Sequence, residues 1–441
     1  MTPRVFYWSL TSALAGFLFG FDTVVISGAE KTLQNLWQLS DALHGLAMSS
    51  ALWGTVLGSL VGGWPADRFG RKLTLVGVGV LYFVSAVGCG LAPDMVTFVL
   101  ARFVGGVGIG VSTVAAPLYI AEIAPPHRRG LLTCLFQFNI IFGILVAYLS
   151  NALLAGLGPD AWRWMLGVVA APAAAYTAMV LTIPESPRWL LRDGGDPAEG
   201  LRVLALANAD LPPAAVAELA AGIRAAAAGG AAGGGFWTRR LRRPIQLAVL
   251  IAFFNQLSGI NAVLYFAPRI FELAGLGEKA ALLQSVGIGV VNLAFTFLGL
   301  WLIDRVGRRT LLLVGSVGYI ASLGLCSWAF ATETYAIVPA CIFGFIAAHG
   351  MGQGAVIWVY ISEIFPDRHR ATGQSLGSFT HWVFAALLTT VFPSMVAAFP
   401  TGLVFLFFCL MMVLQLVWVI TAVPETKGVP LEEIEARLGV S

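Results

Sequence analysis

Asp67-Arg68-Phe69-Gly70-Arg71-Lys72 recurs in the second half of the chain as Asp304-Arg305-Val306-Gly307-Arg308-Arg309. The echo has company at nearly the same offset. Glu122 with Arg129 returns as Glu363 with Arg370, and Pro184-Glu185-Ser186-Pro187 returns as Pro424-Glu425-Thr426-Lys427. More faintly, Gly20-Phe21-Asp22 returns as Gly259-Ile260-Asn261. What repeats is the polar punctuation between long apolar runs. Two halves with the same charge marks at the same spacing imply a duplicated membrane bundle, able to rock about a site lying between its halves, as secondary transporters do.

Composition requires the membrane. The chain is 58% hydrophobic and only 11% charged, with mean hydropathy +0.84, whereas a soluble domain carries about 25% charged residues. So apolar a chain is solvated by lipid over most of its area. A span needs roughly 20 apolar residues, and the breaks delimit twelve runs near 5–27, 44–66, 73–92, 95–119, 131–154, 162–183, 244–268, 281–303, 310–331, 334–361, 372–399 and 401–423. All are expected to be helices, because a strand open to lipid leaves its backbone unpaired. The expected fold is an all-α membrane protein with twelve transmembrane helices in two pseudo-symmetric six-helix bundles. The expected division is an N-terminal bundle 1–183, a cytoplasmic linker 184–243, a C-terminal bundle 244–423 and a short cytoplasmic tail 424–441.

Lys and Arg set the orientation. With both termini cytoplasmic, the inside segments hold Arg4, Arg68, Arg71, Lys72, Arg128, Arg129, eight arginines between 184 and 243, Arg305, Arg308, Arg309, Arg368, Arg370, Lys427 and Arg437. Only Lys31, Arg163, Arg269 and Lys279 fall outside, and Arg102 falls within a span, so the positive-inside rule places both ends in the cytoplasm. The net charge of +3 says little about partners. The first apolar run reads as a span rather than a cleavable signal. The linker mixes charges with Ala-rich pieces suited to short amphipathic helices, and Ala225–Gly235 reads as a flexible low-complexity stretch. Cys89, Cys134, Cys326, Cys341 and Cys409 all lie in apolar runs, so no disulfide framework or metal site is expected.

The doubled charges suggest a latch. Asp67, Arg68 and Arg71 sit in a tight turn between the second and third spans, Glu122 and Arg129 flank the end of the fourth, and Asp304, Arg305, Arg308, Glu363 and Arg370 are their counterparts. Carboxylates and guanidiniums at neighbouring helix ends form bidentate pairs that hold in one conformation and break in the other. An exposed pair contributes only ~0–1 kcal/mol, but a network biases a two-state equilibrium, in which tenfold costs about 1.4 kcal/mol.

Two charges lie inside spans: Asp22 in the first and Arg102 in the fourth. Each costs about 2.5–3.5 kcal/mol by insertion scales, so each is a functional candidate. If their pairing alternates with conformation, the affinity of Asp22 for a proton alternates too, which is what proton coupling requires; a fixed bridge that only locks packing is the other reading. At midspan depth stand Gln137, Asn255, Gln256, Asn261, Asn292, Tyr265, Trp358 and Trp382. Amides with an aromatic wall suit a ligand rich in hydroxyls, although any single Asn or Gln also serves as glue between helices. Gln256 and Asn261 share a helix face only loosely, and Ser258-Gly259 between them permits local unwinding.

These motifs resemble, over nearly the whole chain, the sugar porters of the major facilitator superfamily. That group holds bacterial proton–sugar symporters and animal facilitative glucose transporters. The resemblance rests on Arg68–Lys72, Arg305–Arg309, Pro184-Glu185-Ser186-Pro187-Arg188-Trp189, Pro424-Glu425-Thr426-Lys427-Gly428 and Gln256-Leu257-Ser258-Gly259-Ile260-Asn261, in order and at the right span ends. It implies that the charge clusters, with Glu185, Arg188 and Glu425, form the cytoplasmic gate that stabilises the outward-facing state. It implies sugar contacts at Gln137, Gln256, Asn261, Asn292 and Trp358. Asn255 stands where many members carry a second Gln, Phe19 and Trp382 fall on cavity-lining aromatic positions, and Tyr265 with Phe266 match a gate that is usually Tyr-Tyr. Asp22 and Arg102 match the symporters, whereas the facilitators carry Asn at the Asp22 position. Three positions depart from the pattern. Ile144 resembles the glucose facilitators rather than the xylose symporter. His381 stands where relatives carry Gln or Asn, to contact sugar, to titrate or simply to pack. Ala355 replaces the usual Pro, with Gly350, Gly352 and Gly354 left to supply flexibility; Gly354 is counted with the sugar site.

The expected function is import of a monosaccharide, hexose or pentose, by proton symport at the bacterial inner membrane, by a monomer. A facilitative uniporter and a non-transporting sugar sensor are the alternatives. No nucleotide loop, metal cluster or nucleophile–base pair suggests an enzyme, no cofactor is implied, and nothing points to nucleic acid. Gly105-Gly106-x-Gly108-x-Gly110 lies within a span and reads as close helix packing rather than a phosphate loop.

Overall fold

The computed structural model describes residues 2–125, 129–192, 196–228, 235–366, 369–429, 433–434 and 438, with side chains except at 129–131, 133 and 226–228. Arg128, Arg368, Arg437 and the side chain of Arg129 therefore lie outside the described residues.

Among the described residues all regular structure is helical. Among the described residues, eleven helices are long and apolar enough to cross a membrane, and the count reaches twelve when the pair bent by 49°, Asp41–Val61 and Gly63–Phe69, is taken as one span. In order they are span 1 (Pro3–Gly28), the bent pair as span 2, span 3 (Arg71–Leu91), span 4 (Met95–Ile123), span 5 (Cys134–Leu157), span 6 (Ala161–Thr182), span 7 (Arg239–Tyr265), span 8 (Glu278–Val306), span 9 (Arg308–Ala331), span 10 (Tyr335–Glu363), span 11 (Arg370–Ala398) and span 12 (Thr401–Ala422). Leu91, Val96, Leu153 and Leu283 are exposed large apolar side chains, as expected of faces solvated by lipid.

Local chemistry sets the ends and breaks. Asp94 caps span 4 by accepting from the Thr97 N–H at 2.9 Å, satisfying a donor the helix leaves open. The span 4 glycines, read from the sequence as close helix packing, admit neighbours: a Cβ on Gly54 of span 2 would meet Val107 N at 2.9 Å and Gly106 Cα at 3.0 Å. Small residues at such crossings let backbones approach.

The chain packs into two compact units. The first comprises Met1–Thr23, Trp53–Ala147 and Arg163–Ala232, the second Val24–Leu52, Tyr148–Trp162 and Gly233–Ser441. The division does not follow the linker. Most of the linker goes with the first unit, and two segments from the first half of the sequence join the second. The reason is local bonding: Tyr148 donates to the Leu264 carbonyl at 2.7 Å, and Lys31 and Arg269 pair with Glu272 and Glu30. The linker helices Pro187–Arg192, Pro197–Ala207 and Pro213–Ala228 build a small core from Leu191, Leu204, Val216, Ala220 and Ile223. Ala225–Ala228, expected to be flexible, instead complete the last of these helices, as alanine's helix propensity favours; 229–234 lie outside the described residues.

Candidate functional site

In the first unit the two intramembrane charges meet. Arg102 Nη1 donates to Asp22 Oδ1 at 2.8 Å, and Nη2 donates to the Asp22 backbone carbonyl at 3.1 Å. Both side chains are buried, so this is a desolvated pair, whose breakage by loss of one partner costs about 3–5 kcal/mol. Ser85 of span 3 borders the same pocket, since a Cβ on Gly105 would meet Ser85 Cβ at 2.8 Å and Asp22 Oδ2 at 3.9 Å. Phe19 lies one turn before Asp22, its carbonyl accepting from the Thr23 hydroxyl at 2.7 Å. Gln137 is half-buried and Ile144 buried on span 5, also in the first unit.

In the second unit the amide cluster forms around a break in span 7. The regular helix ends at Leu257, and Gly259 adopts φ +88° before helix resumes at Ile260. The break turns a loose sequence relation into a contact: Asn261 Nδ2 donates to Gln256 Oε1 at 2.6 Å, and Gln256 Nε2 donates to Asn255 Oδ1 at 2.9 Å. Gln256 Nε2 also lies 3.2 and 3.1 Å from Nδ1 and Nε2 of His381. An amide N–H needs a lone pair there, so one ring nitrogen serves as acceptor. The His381 ring is flanked by Trp358 and Trp382, at centroid distances of 5.1 and 4.7 Å. Tyr265 is buried in the short helix that follows Gly259. Asn292 is buried on span 8 and accepts from Thr296 Oγ1 at 3.4 Å. Span 10 is broken too: Gly352 sits between Val338–Met351 and Gln353–Glu363 at φ −92°, ψ −102°. A Cβ on Gly354 would meet the His349 ring at 3.2 Å. With Ala355 in place of proline, glycine provides the break.

Each unit carries its own copy of the charge cluster. In the first, Arg71 Nε and Nη2 grip Glu122 Oε2 and Oε1, both at 2.9 Å. Glu185 accepts from the backbone N–H of Arg71 at 2.9 Å and of Lys72 at 3.1 Å, and Ser186 Oγ donates to Glu122. In the second, Arg308 Nε and Nη2 grip Glu363 Oε2 and Oε1 at 3.1 and 2.8 Å. Glu425 accepts from the N–H of Arg308 and Arg309 at 2.9 and 3.1 Å, and Thr426 Oγ1 donates to Glu363 at 2.6 Å. A carboxylate at the open N-terminus of a helix complements its dipole. Gly70 (φ +89°) and Gly307 (φ +104°) make the approach possible, since a Cβ at either would collide with the Glu185 or Glu425 carboxylate. Burial pushes the Glu185 carboxyl above its ordinary value, against the pull of its backbone donors and Arg71. Asp67 and Asp304 add exposed pairs with Arg71 at 3.3 Å and Arg308 at 2.9 Å. Arg68 is exposed, Arg305 lies 3.8 Å over the Trp301 ring, and Arg370 donates to the Ser362 carbonyl at 2.9 Å. Arg188 lies in the short helix after Ser186.

Two groups carry no sequence motif. One is a charge cluster within the second unit, past the end of span 7. Arg269 Nη1 donates to Glu30 Oε1 at 2.7 Å and Gln34 Oε1 at 2.9 Å, while Lys31 pairs with Glu272 at 2.7 Å. His44 Nε2 lies 3.2 Å from Glu30 Oε1. Glu30 is 3% exposed, and burial raises its carboxyl above the ordinary value despite Arg269. The other is a buried amide chain: Asn255 to Gln353 at 3.5 Å, Gln353 to Gln415 at 3.0 Å and Gln415 to Ser316 Oγ at 2.8 Å.

The family described as "Sugar (and other) transporter" matches residues 8–438. The chain is 35% identical to the D-xylose-proton symporter of Escherichia coli (strain K12), over 98% of this chain and 95% of that one. It is 34% identical to the arabinose-proton symporter of Bacillus subtilis (strain 168), over 97% and 93%. The inward-open structure of the xylose transporter XylE from E. coli superposes with TM-score 0.87 at 32% identity, covering 98% of this chain and 99% of that one.

Proposed function

The chain belongs to the sugar (and other) transporter family, and on that premise we propose that it imports a monosaccharide by proton symport with alternating access. It is a multi-pass transporter of the major facilitator fold in the bacterial inner membrane, not an enzyme. The buried Asp22–Arg102 pair carries the coupled reading. In one conformation the guanidinium holds the carboxylate charged; when the pair parts, an isolated buried carboxylate takes up a proton, since burial disfavours its charged form. Arabinose-proton and D-xylose-proton symport by similar proteins supports a pentose or hexose as cargo.

We assign sugar contacts to Phe19, Gln137, Ile144, Asn255, Gln256, Asn261, Tyr265, Asn292, Gly354, Trp358, His381 and Trp382. Asn261 and Gln256 present amide groups for bidentate recognition of neighbouring hydroxyls, with Trp358 and Trp382 as the aromatic wall. We assign the cytoplasmic gate to Asp67, Arg68, Arg71, Glu122, Arg129, Glu185 and Arg188, with Asp304, Arg305, Arg308, Glu363, Arg370 and Glu425, both termini lying in the cytoplasm. A monomer suffices for the cycle. The test is reconstitution in liposomes, recording luminal pH and labelled-sugar entry against a panel of pentoses, hexoses and polyols. Symport is expected to move protons with one sugar, and Asp22→Asn to abolish the pH signal while leaving exchange of that sugar. Sugar entry without proton movement would make the protein a uniporter with a structural Asp22; no entry of any sugar would favour a sensor.

A further inference from the structure

Ser316 of span 9, Gln353 of span 10 and Gln415 of span 12 are fully buried polar side chains that the proposed sugar contacts do not include. With Asn255, Gln256 and Asn261 they belong to the second unit. A Cβ on Gly315, next to Ser316, would lie 3.0 Å from Gly352 Cα, so spans 9 and 10 approach backbone to backbone just where Gln353 follows the break. An amide buried at membrane depth needs partners. Ser316 Oγ donates to the Leu312 carbonyl at 2.7 Å, so it offers Gln415 a lone pair. Gln415 meets it with Nε2 at 2.8 Å and turns Oε1 to Gln353 Nε2 at 3.0 Å. Gln353 Oε1 then faces Asn255 Nδ2 across a long contact of 3.5 Å. Asn255 Oδ1 accepts from Gln256 Nε2 at 2.9 Å, and Gln256 Oε1 accepts from Asn261 Nδ2 at 2.6 Å.

Glue between helices would need these contacts but not their common direction. Here every amide donates toward Ser316 and accepts from the side of the sugar site. A backbone carbonyl can only accept, so Leu312 sets the sense of the run. Turning any one amide over would set N–H against N–H and oxygen against oxygen. Reversing the whole run would cost Ser316 its bond to Leu312. The far end is Asn261, at 7% exposure the least buried of these amides. With Nδ2 committed to Gln256, Asn261 offers Oδ1 as a fixed acceptor. We propose that Ser316, Gln353 and Gln415 are positioning residues that set the orientation of the Asn261 amide, so that it presents an acceptor to a sugar hydroxyl. The assignment rests on the sugar site proposed above. It has a consequence for selectivity, because a hydroxyl donates to that oxygen whereas fluorine in its place has no proton to give.

The test measures binding of D-xylose, D-glucose and their single-position deoxyfluoro analogues to the full-length protein in detergent by titration calorimetry. Asn261→Ala identifies the ring position that Asn261 reads, as the one whose fluorine penalty disappears. At that position fluorine is expected to weaken binding to wild type about tenfold. In S316A and in Q415L the penalty should fall below about threefold, and S316T, which keeps the hydroxyl, should restore it. If affinity for hydroxyl and fluoro sugars fell alike, with the penalty intact, the three residues would be structural only and the proposal would be overturned. Should Q415L fail to fold, S316A reads the same ratio. A second measurement needs no sugar: S316A and N261A change opposite ends of the run, and their effects on the unfolding equilibrium constant should be non-additive by about fivefold, against about twofold at most for independent sites. If neither sugar binds wild type, the sugar reading fails and this cycle alone decides: coupling upholds the set orientation of Asn261, and additivity overturns it.

Discussion

Arg269→Gln is expected to destabilise the second unit more than Glu30→Gln does, although the two residues are partners. At 2.7 Å the attraction is about 6 kcal/mol with an effective dielectric constant near 20. Most of it offsets the desolvation of Glu30, which is 3% exposed, whereas Arg269 keeps about a quarter of its side chain in solvent. Removing the arginine leaves a buried, uncompensated carboxylate beside Glu272 and costs about 3–5 kcal/mol. Glu30→Gln leaves an amide that still accepts from Arg269, now free to reach water, and costs about 1–2 kcal/mol. In E30Q/R269Q no buried charge is stranded, so the double variant should be less destabilised than the sum of the singles by about 1–3 kcal/mol. Unfolding titrated with sodium dodecyl sulfate in mixed micelles measures all four corners of the cycle. If R269Q matched wild type, or if the singles added within about 0.5 kcal/mol, the cluster would not be coupled and the reasoning would fail.

Glu30 also makes the cluster respond to pH. Its raised carboxyl means that the closed cluster binds a proton more readily than the solvated segment, so its contribution is complete at acid pH and declines as pH rises through the raised value; with Lys31, His44, Arg269 and Glu272 facing it, hydrogen exchange of Glu30–Leu36 should quicken from pH 5 to pH 8 beyond its chemical rate, and E30Q should abolish the extra change. Gly259→Ala forces a side chain to φ +88° and puts a Cβ 2.8 Å from the Phe408 ring, costing about 1–2 kcal/mol for the backbone and about 1–3 kcal/mol for overpacking; sugar-dependent thermal stabilisation should be lost, and Phe408→Ala should recover folding but not the sugar response. Gln415→Leu leaves buried Gln353 without its acceptor and should lower stability by about 1–3 kcal/mol, with Q353L/Q415L costing less than the sum of the two.

What the sequence disclosed was whatever stands out against an apolar background. Charged residues are scarce, so Asp22 and Arg102 read as partners, and the doubled Arg71 and Arg308 motifs marked span ends that the structure places there. What it withheld depended on three-dimensional return. Asn261 meets Gln256 only because Gly259 is left-handed, which the Ser258-Gly259 pair hinted at without fixing. Glu30 and Arg269 are far apart in sequence and look like ordinary loop charges, so nothing marked them as partners. Gln353 and Gln415 are single amides in different spans. The faint signal was Gln415 itself, a strongly polar group in the most hydropathic of the spans, where an unsatisfied amide is costly.

The bonds of the twin clusters bear on how a gate would work. Those of Arg71 with Glu122 and Glu185 close within the first unit, and those of Arg308 with Glu363 and Glu425 close within the second. Each set of bonds braces the ends of spans within its own unit. In the gate proposed above, these bonds would hold each set of span ends together. The Glu30–Arg269 and Lys31–Glu272 pairs differ in kind. They tie a segment from the first half of the sequence to the end of span 7, from the second half. These pairs too close within the second unit, so they join distant parts of the sequence inside one body. Among them is a carboxyl whose protonation state depends on burial. On the proposed cycle, the Glu30–Arg269 link is thus a second buried ion pair, besides Asp22–Arg102, whose loss would strand a carboxylate.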